Sequence, residues 1–320
     1  MPLVASAYRP GMLYRNGHVS TIYSAVLRKV DAPAQVRERI SLPDGDFLDL
    51  DWTPARGSSG KVLLLLHGLE GNTQRPYMLG AAKLFAENGY EVCAVNFRGC
   101  SGEPNRRFRS YHSGATEDLE AVLRHVLETR PRARVYLKGF SLGGNLILKF
   151  LGEFPRFSER LAGAAVISVP CDLHDSLRQL EQRKNWPYAR RFLSSLRAKA
   201  QQKQRQFPDR LSKGEVENIR TLKDFDDFYT SRAHGFKDAL DYYQKCSSKQ
   251  FLPGIALPTL LLNARNDSFL GPACYPEAAC RSHPRLHLEM PAFGGHVGFV
   301  GTGAYFYSEL RSLEFLDQCG

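Results

Sequence analysis

Apolar residues along this chain fall into two patterns, short continuous runs and longer stretches of helical period, and their alternation predicts a mostly parallel sheet covered by helices on both faces. Val62–Leu66 is the clearest run, ending at His67-Gly68 and reading as a strand buried on both sides. Met78–Asn88 follows with helical spacing and stops at Gly89, a residue suited to a helix C-terminus. Val92–Val95 is the next strand and Ala115–Thr129 the next helix, then strand Arg134–Leu137, helix Asn145–Leu151 and strand Ala164–Val169. Ahead of them, Val36–Ser41 and Phe47–Trp52 flank Asp44-Gly45-Asp46 and predict a hairpin.

From Cys171 to about Phe251 the pattern changes to polar, charged, helix-like sequence without strands. An inserted helical cap over 171–251 follows. Strand character returns at Thr259–Leu262, then a helix around Pro272–Cys280, strand Leu286–Met290, the loop Pro291–Gly298 and a closing helix near Ala304–Leu316. The expected organisation is an N-terminal extension (1–30), a core in two pieces (31–170 and 252–320) and the cap between them.

Composition narrows the function classes. At 320 residues the chain can bury a large core. It opens without a basic-then-apolar signal pattern, and no apolar run approaches the roughly 18 residues of a membrane span, so a soluble cytoplasmic protein is expected. Seven cysteines without Cys-x-x-Cys spacing predict reduced thiols, and neither a metal cluster nor a cofactor motif is visible. The net charge of +10 favours anionic partners, but no nucleic-acid module accompanies it and none is expected.

Chemistry enters at Gly139-Phe140-Ser141-Leu142-Gly143, where a strand pattern turns into an apolar helix pattern. A serine on such a turn holds strained backbone, and glycines two residues either side make room for it. A Gly-x-Ser-x-Gly pentapeptide arises by accident in about one chain in ten of this length. Context has to decide. A serine hydroxyl needs a base, and the base needs an acid to fix its tautomer. His296, on the glycine-lined loop Gly294–Gly298, is the expected base, and Asp267, after the Thr259–Leu262 strand, the expected acid. Asp172, past the preceding strand, is the rival acid. His283 and His287 lie at or in a strand and read as structural; His67 reads as a loop-fixing residue. The backbone N–H groups of Leu142 and of Leu69, in His67-Gly68-Leu69-Glu70-Gly71, are the expected oxyanion donors.

These residues resemble a known group, the YheT-like α/β hydrolases, bacterial relatives of the eukaryotic ABHD proteins. The matching stretches are Arg15-Asn16-Gly17-His18, His67–Gly71, Asn96–Glu103, Tyr111-His112-Ser113-Gly114, the serine elbow, and Ala233–Asp238 with Asp241-Tyr242-Tyr243. The resemblance implies an α/β-hydrolase fold, a Ser-Asp-His triad and hydrolysis of carboxylic or lipid esters. Two departures stand out. Family members commonly read Asp-Asp-Pro-Phe where this chain has Asn266-Asp267-Ser268-Phe269, and the eukaryotic relatives often carry an N-terminal membrane anchor not seen in this sequence.

The leading expectation is therefore a serine hydrolase acting on short- to medium-chain acyl or lipid esters through an acyl-enzyme on Ser141. An acyltransferase using the same intermediate is the alternative, though its His-x4-Asp motif is imperfect because Glu117 stands five residues after His112. A non-catalytic ligand-binding protein of the same fold comes third. The basic, aromatic-interleaved stretch Arg178–Lys213 is read either as a solvated cap surface over an apolar pocket or as a lid that touches an anionic membrane surface. A second basic patch, Arg98, Arg106, Arg107 and Arg109, is expected near the active-site edge. Oligomeric state, acyl length and head group are not legible.

Overall fold

The computed structural model describes residues 3–57 and 60–319; Met1 and Pro2, the head of the expected extension, together with Ser58, Ser59 and Gly320, lie outside the described residues. Among the described residues nine strands form one sheet: β1 (Leu3–Val4), β2 (Val36–Ser41), β3 (Phe47–Thr53), β4 (Lys61–Leu66), β5 (Tyr90–Asn96), β6 (Arg134–Phe140), β7 (Leu161–Ile167), β8 (Thr259–Leu262) and β9 (Leu286–Glu289). Their order is β1-β9-β8-β7-β6-β4-β5-β3-β2, with β3 antiparallel to both its neighbours and every other pairing parallel.

Period-two alternation builds both faces. In β4, Val62, Leu64 and Leu66 enter one core while Leu63 and Leu65 enter the other. Helices α2 (Pro76–Glu87) and α12 (Tyr307–Asp317) cover the second face, and α3 (Thr116–Thr129) and α4 (Leu142–Glu153) the first. The chain leaves β4 on one side for β5 and returns on the other for β6, so the strand order reverses at β4. A crevice at the carboxyl ends of the strands follows from that reversal.

A helical layer lies between β7 and β8: α5 (Leu173–Leu180), α6 (Trp186–Gln206), α7 (Lys213–Asn218), α8 (Leu222–Phe225), α9 (Ser231–His234) and α10 (Ala239–Cys246). It has its own apolar cluster, including Leu177, Leu196, Phe225, Tyr229 and Tyr242, and Phe108 and Phe269 join it from outside. On α6 only Leu196, Ala200 and Lys203 are buried, a narrow stripe on a long polar helix.

Three regions differ from the sequence reading. Residues 3–30 are stitched into the core rather than appended to it: β1 pairs with β9, Tyr8 is buried, and Arg28 makes a buried two-point ion pair with Glu309. Helix α1 (Gly17–Ile22) starts there, its N-terminus capped by the Asn16 side chain. The helix expected around Pro272–Cys280 is instead a short turn at Pro272–Cys274 followed by α11 (Glu277–Ser282), because Pro276 intervenes and lacks the N–H a continuous helix needs. The closing helix begins at Tyr307, three residues later than expected, where Glu309 accepts the N–H of Phe306.

Candidate active site

Ser141 occupies the turn between β6 and α4 with φ +52° and ψ −117°, a conformation that costs a non-glycine residue about 1–3 kcal/mol. The neighbouring glycines are sterically required. A Cβ on Gly139 would sit 2.6 Å from the Gly143 carbonyl oxygen, and one on Gly143 would sit 2.6 Å from that of His67. The strand is pinned at the turn by the Ser141 N–H donating to Ile167 at 2.8 Å.

The Ser141 hydroxyl lies 2.9 Å from His296 Nε2, and His296 Nδ1 lies 2.8 Å from Asp267 Oδ2. Asp267 is fully buried, and its other oxygen accepts the N–H of Phe269 at 2.9 Å. A carboxylate accepts only, so Nδ1 carries the imidazole proton and Nε2 is left to accept from the serine. Phe269 stacks on the imidazole with ring centroids 4.3 Å apart. The rival acid is engaged elsewhere: Asp172 accepts the N–H of Asp175 at the start of α5. His283 and His287 also lie apart, the first accepting from Arg285 N–H and the second packed on Phe315.

Both expected oxyanion donors border the same cavity as Ser141. Leu142 opens α4, so its N–H falls in the first turn, where a helix supplies no acceptor. Leu69 N–H has no acceptor among the described residues. His67 fixes the loop below them. Its Nδ1–H donates to Gly68 O at 2.8 Å, its Nε2 accepts Phe97 N–H at 3.2 Å, and burial pushes its pKa down to about 4, which keeps the ring neutral.

The N-terminal segment contributes what the sequence did not reveal. Thr21 Oγ1 accepts the N–H of His296 at 2.8 Å, Ser24 donates to Val297 O at 2.8 Å, and Asn266 donates to Arg15 O while accepting from Gly295 N–H. An aspartate at 266 has no donor for the first of those two bonds, so asparagine suits this chain's loop. Gly17 and Gly295 allow the close approach; a Cβ on Gly295 would sit 2.2 Å from Gly17 O. The Arg15–His18 motif was visible, but nothing local tied it to a histidine far along the chain. The same loop holds Val297 at φ +59°, an outlier for a β-branched residue, kept there by Ser24 and by Ser168 accepting its N–H at 2.9 Å.

The cavity has a volume of about 290 Å³. Buried apolar residues of the helical layer, Leu173, Leu177, Leu180, Leu222 and Phe225, form one part of its wall, and Ile22 and Val26, both exposed, with Ala25 between them, form another that meets solvent at its mouth. Asp226, beside Phe225, is pushed up to about 6 by burial despite hydrogen bonds from Thr230 and Tyr243. The arginine patch expected at the active-site edge is placed elsewhere, and none of its four residues lines the cavity. Arg98 is buried against Asp44, Asp46 and Asp118, Arg107 donates to Asp44 O, and Arg109 pairs with Glu117. Among the described residues no cluster of His, Cys, Asp and Glu is arranged to hold a metal, and no helix is long and apolar enough to cross a membrane.

Residues 61–301 match the family described as the alpha/beta hydrolase fold. The chain belongs to the α/β-hydrolase family. It is 35% identical over 292 residues to YheT of Escherichia coli (strain K12), covering 90% of this chain and 85% of that one. It is 30% identical over 308 residues to the human phospholipase ABHD3, covering 93% of this chain and 75% of that one. Among solved structures, the Pyrococcus furiosus esterase Pf2001 superposes with a TM-score of 0.61 at 17% identity, over 90% of this chain and 92% of that one, which establishes the shared fold. Family membership and the mostly parallel sheet agree with the expectation from sequence.

Proposed function

We propose that this α/β-hydrolase cleaves carboxylic esters, of acyl chains or lipids, through an acyl-enzyme on Ser141. The observation that carries the reading is the continuous chain from Asp267 through His296 to the Ser141 hydroxyl, which borders a cavity with a buried apolar wall. His296 Nε2 takes the serine proton as Oγ attacks the ester carbonyl, and Asp267 steadies the imidazolium. The carbonyl oxygen gains its charge between Leu69 N–H and Leu142 N–H. Collapse of the tetrahedral adduct breaks the ester C–O bond, and the imidazolium gives its proton to the departing alcohol. Water, deprotonated by His296, then attacks the acyl-enzyme; the acyl C–Oγ bond breaks, the imidazolium returns its proton to Ser141 Oγ, and the acid leaves. Relatives named as a phospholipase and a monoacylglycerol lipase support an ester within a lipid.

A fluorophosphonate probe should label the native protein and p-nitrophenyl esters should turn over, while Ser141→Ala should do neither. Absence of labelling on folded protein would sink the reading, and transfer of acyl groups to added alcohol in preference to water would convert it to the acyltransferase.

Exposed apolar and basic side chains on the N-terminal segment that lines the cavity and around the start of α6 favour a lipid surface as the source of substrate. Met12, Leu13, Ile22, Val26, Leu27 and Trp186 are exposed, and Arg183, Lys184, Arg190 and Arg191 make no ion pair among the described residues. Apolar groups beside unpaired cations suit an anionic interface. Binding to vesicles containing phosphatidylglycerol should weaken with salt and in Arg190→Gln/Arg191→Gln; salt-independent binding would overturn this part.

A further inference from the structure

The turn Gly68–Gly71 is closed by Gly71 N–H donating to Gly68 O at 3.0 Å, and its third residue has φ +52°. That position ordinarily belongs to glycine. In this chain it holds Glu70, and every polar group of the residue is engaged. Its N–H donates to the Tyr111 hydroxyl at 2.9 Å, that hydroxyl donates back to Oε1 at 2.6 Å, and Arg75 donates to its carbonyl at 2.9 Å. The remaining partners come from α6 in the helical layer: Lys199 Nζ donates to Oε1 at 2.8 Å and the Ser195 hydroxyl donates to Oε2. Ser195 and Lys199 are four residues apart and so share one helix face. The Glu70 side chain is 6% exposed, and Lys199 Nζ also reaches Cys100 Sγ at 3.3 Å.

We propose that Glu70 is a positioning residue through which α6 sets the oxyanion hole. Leu69, the residue before it, supplies the donor, and the turn that aims this N–H is held half by the core, through Tyr111 and Arg75, and half by the cap, through Lys199 and Ser195. Lifting α6 would leave a buried carboxylate without its cation and a strained turn without half its anchors. Docking of the cap and stabilisation of the transition state are thereby one event. The inference rests on the reading of Leu69 as an oxyanion donor. Glu70 also borders the cavity, so direct contact with substrate is the competing role.

Kinetics on a short, soluble p-nitrophenyl ester separate the two. Losing one oxyanion donor outright lowers kcat by about 100- to 1000-fold, and a misaimed donor falls short of that, so Glu70→Gln and Lys199→Met should each lower kcat by about 10- to 50-fold with KM within about twofold. Affinity for a trifluoromethyl ketone, whose adduct carries the oxyanion, should fall by the same factor. The double variant should be no worse than the weaker single one, and Lys199→Arg should recover most of the loss. If Glu70→Gln does not fold, Ser195→Ala, which keeps the ion pair, should still show a small loss of kcat with KM unchanged. A raised KM at unchanged kcat, undiminished ketone affinity, or single effects that multiply in the double would overturn the proposal. Wild-type turnover that disappears in Ser141→Ala tests the hydrolase reading separately; with that intact and the Glu70 and Lys199 variants at full kcat, only the positioning role falls.

Discussion

The sheet-side and cap-side walls of the cavity are made in different ways. On the sheet side, backbone does the placing: positive φ at Ser141, Glu70 and Val297, glycines at van der Waals limits, and N–H groups without acceptors. On the cap side, side chains do it, with Leu173, Leu177, Leu180, Leu222 and Phe225 presented by short amphipathic helices. Backbone geometry of this kind tolerates little change, whereas an apolar wall accepts substitution so long as its volume is kept. On the proposed reading, the contrast gives the chemistry to the first wall and the choice of acyl chain to the second.

The strongest way to break that division is to exchange the two candidate acids. Asp267→Asn should lower kcat by about 1000-fold or more, because the imidazole loses the partner that fixes its tautomer. Asp172→Asn should stay within a few-fold, since Asn also caps helices. A large loss at Asp172 alone would put the acid in the cap. Next in size is a test from the cap side. Leu177→Trp narrows the apolar end, and each methylene excluded from such a pocket is worth roughly 1–3 kcal/mol. Turnover of a decanoyl ester should fall by about tenfold or more while acetyl ester turnover is kept. Equal losses on both esters would show that the cap wall also governs the chemistry.

The same division marks what the sequence made legible. Strands such as Val62–Leu66 are read correctly because burial on both faces demands uninterrupted apolar residues, and the sharp strand-to-helix turn at Ser141 is read because it demands glycines at fixed spacing. Local rules suffice for both. The arginines from 98 to 109 are misplaced because their partners, Asp44, Asp46 and Asp118, lie on a hairpin turn and a helix brought together only by the fold. Arg98 and Arg190 look alike in sequence, yet one is buried in ion pairs and the other exposed over Trp186. The role proposed for Glu70 is illegible in the sequence for a related reason: it depends on Lys199, far along the chain on a helix whose placement no local pattern encodes. The segment 1–30 reads as an extension because a short, weakly patterned stretch carries little signal of the sheet edge that Leu3 and Val4 complete.

Thr21 tests the sheet-side wall at its least expected point. Its hydroxyl accepts the His296 N–H and donates to Gly17 O at 2.7 Å, so it joins α1 to the loop that carries the base. Thr21→Val keeps the shape and removes both bonds, leaving a partly buried N–H without an acceptor at a cost of about 1–3 kcal/mol. If that cost falls on the position of the imidazole, kcat should drop by about 5- to 20-fold with KM unchanged, since geometric errors at the reacting groups act on the chemical step. Thr21→Ser, which retains the hydroxyl and loses only a methyl group, should restore most of the rate. A lowered melting temperature with full kcat would make the N-terminal segment a brace for the fold alone. Loss and rescue in kcat would instead extend the catalytic wall to a segment near the start of the chain, where the sequence offered a motif and no partner for it.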